Sequence, residues 1–122
     1  LDLDNPVIKL CIEGSRAEFE SRPEDAKQLY WQAWETSGND YEACIAAHYM
    51  ARFQAEPGDI FYWNQEALNR AQKVVDGRVD DFYPSLYLNM GRSYEILGNL
   101  EEAARYYKMA ADLGAVHQPG EV

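Results

Sequence analysis

Cys44 and His48 come nearest in type and spacing to metal or catalytic chemistry, since a four-residue step on a helix brings a thiol and an imidazole onto one face. Such a pair is half of a zinc site, or the nucleophile and base of a cysteine hydrolase. The sequence completes neither. A zinc site needs three or four ligands, and Cys11 and His117 lie in other segments. A hydrolase needs a group to orient the imidazole and donors for an oxyanion, and no motif supplies them. The pair reads as packing, and no catalysis, cofactor or metal is expected. The acidic doublets Glu24-Asp25, Asp80-Asp81 and Glu101-Glu102 begin helices or flank links, where the helix dipole accounts for them. Trp31, Trp34 and Trp63 read as core aromatics, with Trp31 offset from its stripe.

The chain that must position these groups has 122 residues, room for one domain spanning all of it. Its 11 Lys and Arg face 21 Asp and Glu, a formal charge of -10. That balance repels phosphate backbones and anionic lipid, so neither nucleic acid nor membrane is expected as a partner. There is no apolar run long enough to span a bilayer, and the opening residues LDLDNP have neither a basic nor an apolar signal region. Two unpaired cysteines in apolar patterns point to a reducing compartment, and a cytoplasmic location is expected.

Six helices follow from periodicity and punctuation. Asn5-Pro6 opens the first, over 6–20, with Val7, Leu10, Cys11, Gly14, Ala17 and Phe19 on one stripe. Pro23 opens the second, over 23–36, which carries Ala26, Leu29, Tyr30, Ala33 and Trp34. After the stop and cap of Ser37-Gly38-Asn39-Asp40, an alanine-rich third helix covers 41–54. Glu56-Pro57-Gly58-Asp59 breaks the pattern, Asp59 caps a fourth helix over 60–75, and residues 76–81 form a polar link. The fifth and sixth helices cover 83–97 and 100–113, with Gly98-Asn99 available for the left-handed conformation between them.

The last helix pair, PSLYLNMGRSYEILGNLEEAARYYKMAADLG, orders large and small residues as Tyr87, Met90, Gly91, Tyr94, Gly98, Ala103, Tyr107 and Ala110. In this it resembles the tetratricopeptide repeat. Ala26, Tyr30 and Ala33 repeat the steps of Ala103, Tyr107 and Ala110. The resemblance implies an all-α, right-handed superhelical array of about three helix-turn-helix repeats, approximately 7–40, 41–77 and 82–115, with a tail at 116–122. Taking Ala67 as the small position of the middle repeat puts its extra length around 54–63 and, to a lesser extent, 76–81. It also makes 55–62 a lengthened loop beside the groove, carrying Phe61 and Tyr62. His48 or Ala47 stands where Gly91 stands in the third repeat.

The resemblance further implies a non-catalytic interaction scaffold in which the first helix of each pair lines a concave groove for an extended peptide. Groove positions include Cys11, Ser15, Glu18, Ile45 and Ser85, and the residues expected to bind are Tyr49, Arg52, Asn89, Arg92 and Glu95. Arginine forks two hydrogen bonds to a carboxylate, so the expected partner is a protein or peptide bearing one. The clamp with which some family members grip chaperone tails is not expected. Of its corresponding places here, Cys11, Ser15, Ala46, Ser85 and Asn89, only Asn89 has a suitable side chain, and it belongs to another clamp position. The alternative is a structural module that homodimerises through the C-terminal helix, whose Tyr106, Met109 and Leu113 give it an apolar outer face.

Overall fold

The computed structural model describes residues 2–115. Among them are six α-helices and no strand: α1 (Pro6–Phe19), α2 (Pro23–Thr36), α3 (Asp40–Ala51), α4 (Pro57–Gln72), α5 (Tyr83–Ile96) and α6 (Leu100–Asp112), with a single 3-10 turn, Asp80–Phe82, before α5. Each helix packs on the next in sequence, and α1 also packs on α3. The expected tail, 116–122, lies outside the described residues, as does His117.

Local chemistry accounts for the helix starts. The Asn5 side chain accepts from the amides of Val7 and Ile8, while its own amide donates to Glu42 at 2.8 Å, tying the start of α1 to α3. Asn39 and Asn99 cap α3 and α6 by accepting from the amides of Glu42 and Glu102. Pro23 and Pro57 open α2 and α4, where a missing N–H costs nothing. In the α5–α6 turn only Gly98 is left-handed, at φ 83°; Asn99 serves as the cap instead.

The helix starts reveal a regular spacing. Residues 6, 23, 40 and 57 begin α1 to α4 at steps of 17, and residues 83 and 100 begin α5 and α6 at the same step. From 57 to 83 the step is 26, nine more than 17. The extra length therefore lies between α4 and α5, which corrects the main expected place around 54–63 and agrees with the lesser one, 76–81. Residues 57–62 are helical, Asp59 lies in the first turn of α4 and caps nothing, and Phe61 packs edge-on against Tyr94 at 4.9 Å. In this register Ile60, not Ala67, matches Ala26, and Asn64 matches Tyr30 and Tyr107. His48, not Ala47, matches Gly14 and Gly91.

The Gly and Tyr positions are two halves of one contact. A Cβ on Gly14 would stand 2.3 Å from the Tyr30 ring, and a Cβ on Gly91 would stand 2.5 Å from the Tyr107 ring. Only glycine lets each ring lie flat against the preceding helix. Each hydroxyl then donates to a carboxylate one turn beyond the glycine, Tyr30 to Glu18 and Tyr107 to Glu95. The middle pair inverts this order: His48 is large where the others have glycine, and Asn64 is short where they have tyrosine. Asn64 is buried and donates to the Ser93 hydroxyl at 3.0 Å, which links α4 to α5.

Candidate functional site

A cleft of about 230 Å³ opens between α1, α3 and α5, on the side where the sequence places the groove. Ile8, Cys11 and Ile12 form one wall, Ile45, His48 and Tyr49 another, and Phe82 and Leu86 close it. Asp81 and Ser85, both exposed, stand at its mouth. Helices α3 and α5 run in the same direction past it, since Tyr41 stacks with Phe82 at one end and His48 meets Asn89 further along.

The nine-residue interruption shapes this opening. Val79 is fully buried and Phe82 stacks on Tyr41 with ring centroids 6.5 Å apart, while the Arg78 guanidinium covers the same Tyr41 ring at 4.2 Å. The link is thus pinned across the start of α3 instead of looping away. Backbones of α1 and α3 approach within 8 Å, whereas those of α3 and α5 do not. His48 fills part of that wider gap, its Nδ1 lying 3.4 Å from the Asn89 amide.

The lining is mostly apolar. Burial pushes the thiols of Cys11 and Cys44 up to about 12, which keeps both protonated at neutral pH. Burial, and secondarily the Arg52 charge, lowers His48 below its ordinary value, so the imidazole is neutral there. Among the described residues no group of three or more His, Cys, Asp or Glu is placed to hold a metal ion, so Cys44 and His48 gain no third ligand. No helix among them is long and apolar enough to cross a membrane.

The neutral His48 makes a sign-definite prediction. A histidine whose folded pKa lies below its unfolded value, near 6.5, contributes stability that is intact above that value and is lost as pH falls toward the folded pKa. Urea midpoints should therefore decline between about pH 7 and pH 5, and His48→Gln, which keeps a hydrogen-bonding group toward Asn89, should flatten the decline. An unchanged slope in the variant would show that His48 does not titrate on unfolding.

The expected binding residues are held in different ways. Tyr49 lines the cleft but stacks on Tyr30 at 5.1 Å, so one of its faces is spent on α2. Arg52 is exposed at the end of α3 and pairs with Glu18 at 3.2 Å, with its guanidinium 6.0 Å from the Tyr49 ring. Glu95 accepts from Tyr107 at 2.6 Å and so tethers α5 to α6. Asn89 is turned toward His48. Arg92 differs from them. Its Nε is buried without a hydrogen-bond partner, and among the described residues no carboxylate lies within 4 Å of its guanidinium.

Asp81, Phe82, Ile8 and Ile12 were not expected at the site. Ile8 and Ile12 had a readable signal, because two isoleucines four apart and off the main stripe of α1 mark a second apolar side. Asp81 and Phe82 had none, since their place depends on how the link folds back. The outer face of α6 also differs from expectation. Tyr106 packs inward, stacking on Tyr94 at 5.7 Å, and Met109 is partly covered; only Leu113 of the three is exposed. No family model, curated protein or solved structure matches the chain.

Proposed function

We propose that the chain is a non-catalytic protein-interaction module, a right-handed array of three tetratricopeptide-like helix pairs that takes an extended peptide along α1, α3 and α5. The carrying observation is the apolar cleft on that face, with Arg92 and its unpartnered buried Nε one turn beyond Asn89. The regular helix step and the two matched Gly–Tyr contacts support the array. An apolar side chain fills the cleft and a carboxylate, from a side chain or a chain terminus, meets Arg92, with Asn89, Tyr49 and Arg52 around it. Two free buried thiols fit a reducing compartment, and the module is assigned to the cytoplasm on that ground.

Within this set Arg92 should dominate, because Arg52 must release Glu18 before it serves a ligand. A hydrogen bond to a charged group contributes about 1.5–3 kcal/mol. For peptides selected from a random display library, Arg92→Ala should weaken binding about tenfold or more in fluorescence anisotropy, and Arg52→Ala less than about threefold. A library that yields no binder, or binders indifferent to Arg92→Ala, would reject the assignment.

A second reading, assembly of copies, draws on Ile96, Leu97 and Leu100, which are exposed together around the α5–α6 turn. It is the weaker one, because the remaining outer face of α6 carries exposed Glu101, Arg105, Lys108 and Asp112.

A further inference from the structure

We propose that the interruption between α4 and α5 builds a selectivity pocket. The cleft takes one branched or aromatic side chain of a bound peptide, and Asp81 at its mouth selects a lysine or arginine beside that anchor. This rests on the peptide-binding reading above and adds the sequence pattern the peptide must carry.

The regular 17-residue step would begin α5 at position 74; it begins at 83. The additional residues do two things at once. They leave room between α3 and α5 that is absent between α1 and α3, and they supply the Phe82 wall and the Asp81 carboxylate. The room suits one side chain: an apolar cavity of about 150 Å³ holds a benzene, so about 230 Å³ accommodates a phenyl or indole ring or a branched aliphatic group.

Charge decides what flanks the anchor. Asp81 is exposed, and among the described residues no cation lies within 4 Å of it, whereas Asp25, Asp40, Asp76 and Asp112 are each paired. A cationic neighbour of the anchor is drawn to this carboxylate, and an acidic neighbour is repelled by it and by the net charge of -10. The opposite pole is Arg92 on α5, eleven residues beyond Asp81, which sits in the 3-10 turn leading into that helix. At about 1.5 Å of rise per helical residue the two poles stand roughly 16 Å apart. An extended peptide covers that distance in about five residues at roughly 3.3 Å each. The pattern is thus a basic residue beside an apolar anchor, with a carboxylate about five residues from the basic one.

Selection of random octapeptides displayed on phage tests this, using the full chain as bait in parallel with Asp81→Lys and Asp81→Asn. The wild-type pool should enrich Lys or Arg next to Phe, Trp, Leu or Ile, with Asp, Glu or the chain terminus about five positions away. Asp81→Lys should keep the anchor but replace the basic residue with an acidic one, and should weaken the best wild-type peptide about tenfold. Asp81→Asn, the conservative change at this exposed position, should lose the charge preference without reversing it. Pools that keep the same flanking charge with all three baits would overturn the pocket while leaving peptide binding in place. A wild-type bait that enriches nothing would overturn both.

Discussion

Tyr30→Ala is expected to lower the unfolding free energy by about 3–5 kcal/mol, read as a fall in the urea midpoint with little change in slope. The side chain is fully buried and is among the largest that are. Its ring stacks on Tyr49 at 5.1 Å, tilts against Phe53 at 5.3 Å and lies over Gly14. Its hydroxyl donates to Glu18 and lies 3.3 Å from the Ser15 hydroxyl. Truncation leaves a cavity and strips Glu18 of one partner, so packing and polar losses act together. Gly14→Ala probes the same contact from the other side. In a helix interior that change normally gains up to about 1 kcal/mol. Here the new Cβ falls 2.3–2.6 Å from two ring atoms, and overpacking of about 1–3 kcal/mol should outweigh the gain. The decisive measurement combines the two. With Tyr30 already alanine the ring is gone, and Gly14→Ala should become stabilising. A cost that persists in both backgrounds would mean that the Gly14–Tyr30 contact is not what sets the distance between α1 and α2.

This contact also shows what could be read without coordinates. The starts of α1, α2 and α3 were legible because they rest on local chemistry, Asn5, Pro23 and Asn39 acting through their own neighbours, whereas Pro57 reads as a breaker and in fact opens α4. Of the expected binding residues only Tyr49 lines the cleft; Arg52, Asn89, Arg92 and Glu95 lie further along α3 and α5 and outside its lining. The weighting of the extra length, placed mainly at 54–63 and less at 76–81, was the wrong way round. Ala67, Leu68 and Ala71 make α4 buried on the face where the other pairs bury Ala26 and Ala103, and small residues there imitate the repeated alanine. The better marker was the proline pair, because 23 and 57 are separated by twice the helix step. What could not be read was which charged groups are already satisfied. Glu18 and Glu95 look like groove acids in sequence, yet each is held by a tyrosine from the neighbouring helix, a partnership that exists only once a glycine has let the ring come close.

The second large effect is expected at Val79→Asp. Val79 is fully buried and belongs to the main core, although it lies in a link and not in a helix. A carboxylate kept in that position without a partner costs several kcal/mol. The link has a cheaper outcome, which is to detach. Detachment gives up the burial of one valine, about 1.5–3 kcal/mol, together with the Phe82–Tyr41 stack and the Arg78–Tyr41 contact, about 0.5–1.5 kcal/mol each. It also returns backbone freedom to the released residues, so the link should let go before the core accepts the charge. The global loss is then limited to about 2–4 kcal/mol, while local opening becomes nearly free. Trypsin should report the difference, because Lys73 stands at the start of the link and Arg78 lies within it. Cleavage there should accelerate tenfold or more in Val79→Asp under conditions where α1–α2 resists, and Val79→Ala should remain close to the wild-type rate. Equal cleavage of wild type and Val79→Asp would show that the link is not anchored through Val79. Because Phe82 leaves its place when the link lets go, the same variant should lose the apolar anchor from any peptide pool it selects, which ties the fold of the interruption directly to the binding it is proposed to shape.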